Sequence, residues 1–150
     1  MSRVLSAAMF AHAAAQSEHP HERYLYLWLS IEALFGGLEH DTEGVPIGTR
    51  VAYRCALMLD PAALHSGRTY GQFRWGITMQ LQGLYWLRNA TVHSGLYAPV
   101  VNKWLERRWR TLVADVARRA VVAVLEDGAN TIEEILAFRE GRFPTALTIT

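Results

Sequence analysis

Between Tyr24 and Phe35 the chain is apolar on almost every side of a helix. Tyr24, Leu27, Trp28, Ile31, Leu34 and Phe35 repeat at three- and four-residue steps, while Leu25, Leu29 and Ala33 fill the other side. A helix of this kind belongs in the centre of a bundle or at a subunit interface. Its neighbours must then be amphipathic helices that turn one stripe inward, and the rest of the chain supplies them.

Ser2 to Gln16 is Ala-rich, with Val4, Leu5, Ala8, Met9, His12 and Ala15 at helical spacing. Ser17-Glu-His-Pro20 interrupts it, and a proline is tolerated in the first turn of the helix that follows. Gly36-Gly37 ends the central helix by permitting left-handed backbone angles, and His40 to Gly48 reads as the longest loop. A third helix is expected from Ile47 to Leu59, with Val51, Ala52, Cys55, Met58 and Leu59 on one side. Asp60-Pro61 caps a short helix that Gly67 closes.

Tyr70, Phe73, Ile77, Leu81, Leu84 and Trp86 or Leu87 mark a long helix reaching Arg88, with Gly95 and Pro99 beyond it. Gly76 and Gly83 weaken that helix and give another helix room to approach. Val100 to Leu125 is the longest candidate, with Val101, Trp104, Leu105, Trp109, Leu112, Val113, Val116, Ala120 and Val124 on its stripe. Thr131-Ile-Glu-Glu134 has the form of a capping box, and Gly141 to Thr150 reads as an extended tail. The expected fold is all-α, a bundle of four to five main helices plus short helices, in one domain over 1–150.

A net charge of +1 argues against a nucleic-acid coat protein or a polybasic membrane-surface protein. The charges are unevenly placed, acidic over Met1 to Val45 and basic over Pro99 to Leu125. A single cysteine, Cys55, excludes an intrachain disulfide and a cysteine-based metal site, and fits a reducing cytoplasm. No apolar run approaches the ~18 residues of a membrane span. His19, His21 and Glu22 lack a fourth ligand and read as solvated surface rather than a metal site. No phosphate-binding glycine loop or nucleophile elbow appears, so neither cofactor nor metal is expected.

Polar groups able to do chemistry gather in Leu87-Arg-Asn-Ala-Thr-Val-His-Ser-Gly95. Arg88 supplies a permanent cation suited to phosphate, and His93 exchanges a proton near neutral pH. Asn89 and His93 share a helix face, so the amide can orient the imidazole. Arg88 and His93 lie about 140° apart on a continuous helix, so convergence needs the reach of the arginine or a break near Thr91. A structural reading stands beside this one, with Arg88 capping a helix end and His93 satisfied in the core. Glu32, inside the apolar helix, needs a cationic partner, and Arg54 and Arg88 are the candidates. Arg50 and Arg54, four apart, form either a phosphate-facing pair or a solvated stripe. Tyr85 and Trp86 either stack on an RNA base or belong to the core.

Arg88-Asn-Ala-Thr-Val-His93 resembles the R-x4-H signature of the HEPN superfamily, and Arg23-Tyr-Leu-Tyr-Leu-Trp-Leu-Ser-Ile-Glu-Ala-Leu-Phe-Gly36 is similar to the first core helix of its ApeA-like branch. The resemblance covers approximately Glu22 to Leu125. It implies a HEPN-like helical bundle that forms a homodimer and brings two motif copies into one cleft. It further implies a metal-independent endoribonuclease of prokaryotic defence or toxin–antitoxin function, leaving 2′,3′-cyclic phosphate and 5′-hydroxyl ends. By this resemblance His93 is the general acid or base, Arg88 the phosphate-stabilising cation and Asn89 the orienting or phosphate-contacting group. RNA is then the substrate, and an antitoxin or regulatory protein a further partner. In the branch paired with nucleotidyltransferase antitoxins a tyrosine stands where this chain has Gly95. The alternative is a noncatalytic helical module that binds a nucleotide, RNA or protein through the Arg-rich last long helix.

Overall fold

The computed structural model describes residues 2–37, 46–59, 70–94, 103–127 and 131–136, with residues 70–75, 91, 93, 94 and 127 described by backbone alone. Five long helices follow one another: α1 (Arg3–Gln16), α2 (Pro20–Phe35), α3 (Ile47–Met58), α4 (Tyr70–Ser94) and α5 (Lys103–Asp127). A short helical turn follows at 132–136, and no strand occurs among the described residues. The all-α class expected from the periodicity is the class observed. The short helix expected after Asp60-Pro61, the residues between Val100 and Asn102 and the Gly141–Thr150 tail lie outside the described residues.

The helix ends follow their local chemistry. Ser2 caps α1 by accepting from the Leu5 amide at 3.2 Å. Pro20 occupies the first turn of α2, and α2 ends at Gly36, after which Gly37 takes the left-handed φ of 61°. At the final turn Thr131 and Glu134 form the reciprocal capping box, with the Thr131 amide 2.9 Å from Glu134 Oε2 and the Glu134 amide 3.3 Å from Thr131 Oγ1.

α2 lies at the centre. It touches α1, α3, α4 and α5, and none of its residues is exposed. Tyr24, Trp28, Ile31, Leu34 and Phe35 are fully buried, each worth about 1.5–3 kcal/mol in apolar area removed from water. α1 packs antiparallel to it. Arg3, at the start of α1, donates to the Gly36 carbonyl at 2.7 Å and so satisfies the open carboxyl end of α2. Ser30 of α2 donates back to the Ala7 carbonyl at 2.8 Å.

The other helices are keyed in by aromatic rings. Trp109 of α5 meets Tyr24 edge to face at 5.8 Å and donates its indole N–H to the Gln80 carbonyl of α4 at 2.9 Å. Gly83 faces the same ring, where an added Cβ would stand 3.5 Å from it, in keeping with the expected close approach. Gly48 is more tightly fixed. A Cβ there would fall 2.3 Å from the Tyr85 ring, so α3 can begin against α4 only with glycine at this position.

Two expectations change, and one pairing is added. Trp104, placed on the inward stripe of α5, is 69% exposed, because the inward face of that helix runs through Trp109, Leu112, Val113, Val116 and Ala120. Arg54 is not on a solvated stripe but donates to the Phe35 carbonyl at 2.6 Å. Glu106, within the basic stretch of the sequence, is buried and ion-paired with Arg23 of α2. The acidic and basic ends of the chain are thereby joined inside the bundle.

Two outcomes check this architecture. Gly48→Val is expected to destabilise the protein by about 1–3 kcal/mol through overpacking against Tyr85, read by urea denaturation. Burial pushes the Cys55 thiol well above its ordinary pKa, so a thiol-reactive reagent should label the native protein only as fast as it unfolds. Rapid labelling in buffer would show that the core around α3 is open.

Candidate functional site

The carboxyl-terminal half of α4 carries Arg88, Asn89 and His93 on one unbroken helix that continues to Ser94. No break occurs near Thr91, so the backbone does not draw Arg88 and His93 together. It sets them about 140° apart around the axis. Ile77, Leu81, Leu84 and Leu87 form the buried face of α4, and Arg88 starts from that inner side. The helix register places His93 instead on the stripe of Met79, Gly83, Trp86 and Ala90, of which Met79 and Trp86 are 49% and 64% exposed.

The surroundings of Arg88 are well defined. Its Nη1 donates to Asn89 Oδ1 at 3.0 Å, and its Nη2 lies 3.8 Å from Glu32 Oε2. The second distance is beyond hydrogen-bond reach, so the carboxylate acts on the guanidinium as a nearby charge. Of the two expected partners for Glu32, Arg88 is therefore the one that stands beside it, while Arg54 donates to the Phe35 carbonyl. The Arg88 Nε is buried and has no hydrogen-bond partner among the described residues. The side chain as a whole keeps 20% of its surface exposed.

Glu32 is itself held. The Trp28 indole N–H donates to the same Oε2 at 2.7 Å, and the Trp28 ring leans on Tyr85 at 4.7 Å with a 46° tilt. Gly48 closes the far side of Tyr85. A continuous chain of contacts thus runs from α3 through α4 and α2 and back to Arg88. Trp28 was not read from the sequence as a site residue, and Tyr85 was read only as a base-stacking or core ring. The four-residue spacing of Trp28 and Glu32 was the signal available, since it puts indole and carboxylate on one face of α2.

Tyr85 packs on Trp28, while Trp86 is open to solvent. Asn89 and His93 stand one turn apart, and the imidazole itself lies outside the described side chains. With Asn89 Oδ1 engaged by Arg88, the amide NH₂ is the group left to donate to an imidazole nitrogen. A cation at position 93 would also stand in the last turn of α4, where the helix dipole favours positive charge.

Chemically, the described part of the site is an anchored guanidinium beside a carboxylate, with one polar amide attached. It can bind a phosphoryl oxygen by exchanging part of its present partnership for the incoming anion. Among the described residues no group of three histidine, cysteine or acidic side chains could hold a metal ion, and His19 and His21 stack on each other at 5.7 Å. No described helix is long and apolar enough to cross a membrane. No protein-family model, curated protein or solved structure matches the chain.

The anchoring of Glu32 can be measured directly. Glu32→Ala leaves the fully buried Trp28 indole without an acceptor and should cost about 1–3 kcal/mol in chemical denaturation. Glu32→Gln keeps an acceptor oxygen and should cost clearly less.

Proposed function

We propose that the chain is a metal-independent endoribonuclease of the HEPN type, acting as a homodimer whose composite active site takes Arg88, Asn89 and His93 from both subunits. The observation that carries this reading is the hold on Arg88. The arginine starts from the buried side of α4, donates to Asn89 at 3.0 Å, stands 3.8 Å from the Glu32 carboxylate, and keeps a fifth of its side chain open to an anion. An ordinary helix-capping arginine would donate to helix carbonyls, whereas this one donates to the Asn89 side chain beside the Glu32 carboxylate.

In the reaction the ribose 2′-oxygen attacks the adjacent phosphorus as one imidazole takes the 2′-hydroxyl proton. The bond from phosphorus to the 5′-oxygen breaks as a second, protonated imidazole donates to that oxygen. A 2′,3′-cyclic phosphate and a 5′-hydroxyl result, and no water or metal is consumed. Arg88 offsets the charge that builds on the phosphoryl oxygens. Two protonation states are required at once, and one His93 supplies one, which is why a second subunit belongs to the mechanism.

The dimer reading has support of its own. Met79, Gly83, Trp86, Ala90 and His93 recur at alternating four- and three-residue steps, the spacing of a helix–helix seam. Met79 and Trp86 on that seam are exposed, and Gly83 presents no side chain. Two α4 helices meeting there would bring both copies of His93 to the end of one contact. The setting is then the cytoplasm of a prokaryotic cell, in defence or toxin–antitoxin function, with RNA as substrate.

The test is incubation of the purified chain with RNA in a chelator. Cleavage should leave 2′,3′-cyclic phosphate ends, fall by about 10²–10⁴-fold in His93→Ala and be lost similarly in Arg88→Ala. Equal RNA turnover by wild type and both variants would overturn the reading, and RNA binding without turnover would favour a noncatalytic module. Trp86→Arg is expected to convert the dimer to monomer in light scattering and to abolish cleavage together with it.

A further inference from the structure

A second feature lies at the opposite end of α2 from Glu32, in the groove between α1 and α5. It has two joined halves. The polar half, about 290 Å³, is lined by Ser17, Arg23, Lys103, Glu106, Arg107 and Arg110. The apolar half, about 480 Å³, has a floor of Ala14, Leu27 and Val113 and walls of Ala11, Ala15, Thr111 and Ala114, and shares Arg107 and Arg110 with the first.

The charge here is not balanced internally. Glu106 is committed to Arg23, and Arg23 also donates to the Glu18 carbonyl at 3.0 Å. Lys103, Arg107 and Arg110 are exposed and form no ion pair among the described residues. Three cations thus rim a groove whose only carboxylate among the described residues is already engaged.

The groove is also part of something longer. Arg107, Ala114, Arg118 and Leu125 follow one another by seven, four and seven residues, so they form one stripe along α5. That stripe runs for about 27 Å and ends at Leu125, which is 75% exposed, with Val122 beside it at 41%. An isolated phosphate would leave the apolar part of this surface in water. A single-stranded RNA would find no aromatic ring among the described residues of the groove on which to stack a base. The shape and charge that match are those of a helix with a row of small or branched apolar side chains and acidic residues beside them.

We propose that the α1/α5 groove is a docking site for an acidic amphipathic helix of a partner protein, which lays its apolar side on Ala11, Ala15 and Ala114 and its carboxylates against Lys103, Arg107 and Arg110. Short alanine side chains on both walls let the incoming helix approach closely, and the arginines set its direction by lying toward one end. The site is separate from Arg88, and the proposal does not depend on the ribonuclease reading.

The test uses the full chain and a fluorescent helical peptide of about 20 residues with leucine and alanine on one face and glutamate on the other, with binding read by anisotropy. The probe should bind in the micromolar range, and weaken at least tenfold in Arg107→Glu/Arg110→Glu and in Ala15→Gln/Ala114→Gln. These four positions lie at the surface of intact helices, and circular dichroism confirms the fold of each variant. A peptide with lysine in place of glutamate should bind the wild type at least tenfold less tightly and prefer the glutamate variant. Failure of the acidic peptide to bind, or binding that neither variant weakens, would overturn the proposal. Binding of a short RNA that both variants abolish would overturn it as well, in favour of a nucleic-acid groove.

Discussion

The central place of α2, in contact with the four other long helices and with no exposed residue, is the constraint from which the rest of the structure follows. An apolar helix so enclosed leaves its neighbours little freedom, and specific contacts fasten them to it. Arg3 closes its carboxyl end for α1, Tyr24 receives Trp109 of α5, and Trp28 receives Tyr85 of α4. The polar side chains α2 carries inward are then forced into partnerships, because an unpaired charge in such a place is costly. Arg23 takes Glu106 and Glu32 takes Trp28 and Arg88. Both polar surfaces of the protein, the Arg88 site and the α1/α5 groove, are built around these two residues.

The periodicity revealed the helices and the centrality of α2, because both depend on which residues leave water and very little on detailed geometry. The candidate arginine and histidine were equally visible, since residue type and spacing were enough. Other features were hidden. The pairing of Glu106 with Arg23 spans 83 residues, and a pairing at that range depends on how helices pack. Trp104 and Trp109 looked equivalent on a helical stripe, yet one is open and the other holds two helices together. A helix stripe wider than its contact always leaves such residues at its margin.

The relation of Arg88 to His93 was legible in part. Their spacing predicted divergence on a continuous helix, and α4 is continuous. What spacing could not show is that divergence gives the two residues different jobs to begin from. Arg88 starts on the core side, where Glu32 and Asn89 hold it, while position 93 falls on the stripe with Trp86. Within one chain this looks like a defect of a catalytic pair. In the dimer proposed above it would become an arrangement in which the cation is positioned by its own core and the proton carrier by the meeting of subunits.

The contacts from Gly48 through Tyr85, Trp28 and Glu32 to Arg88 also bear on how sequences of this kind can diverge. Each member limits the size or chemistry of the next: the ring at 85 leaves no volume at 48, and the indole at 28 needs an acceptor at 32. Drift at one position therefore narrows what its neighbours can become, although the residues are scattered over three helices. Among descendants of a common ancestor, a larger residue at 48 should travel with a smaller one at 85. Loss of the indole at 28 should likewise release the constraint on 32 before it releases the arginine, so the order of substitutions would be written into the lineage.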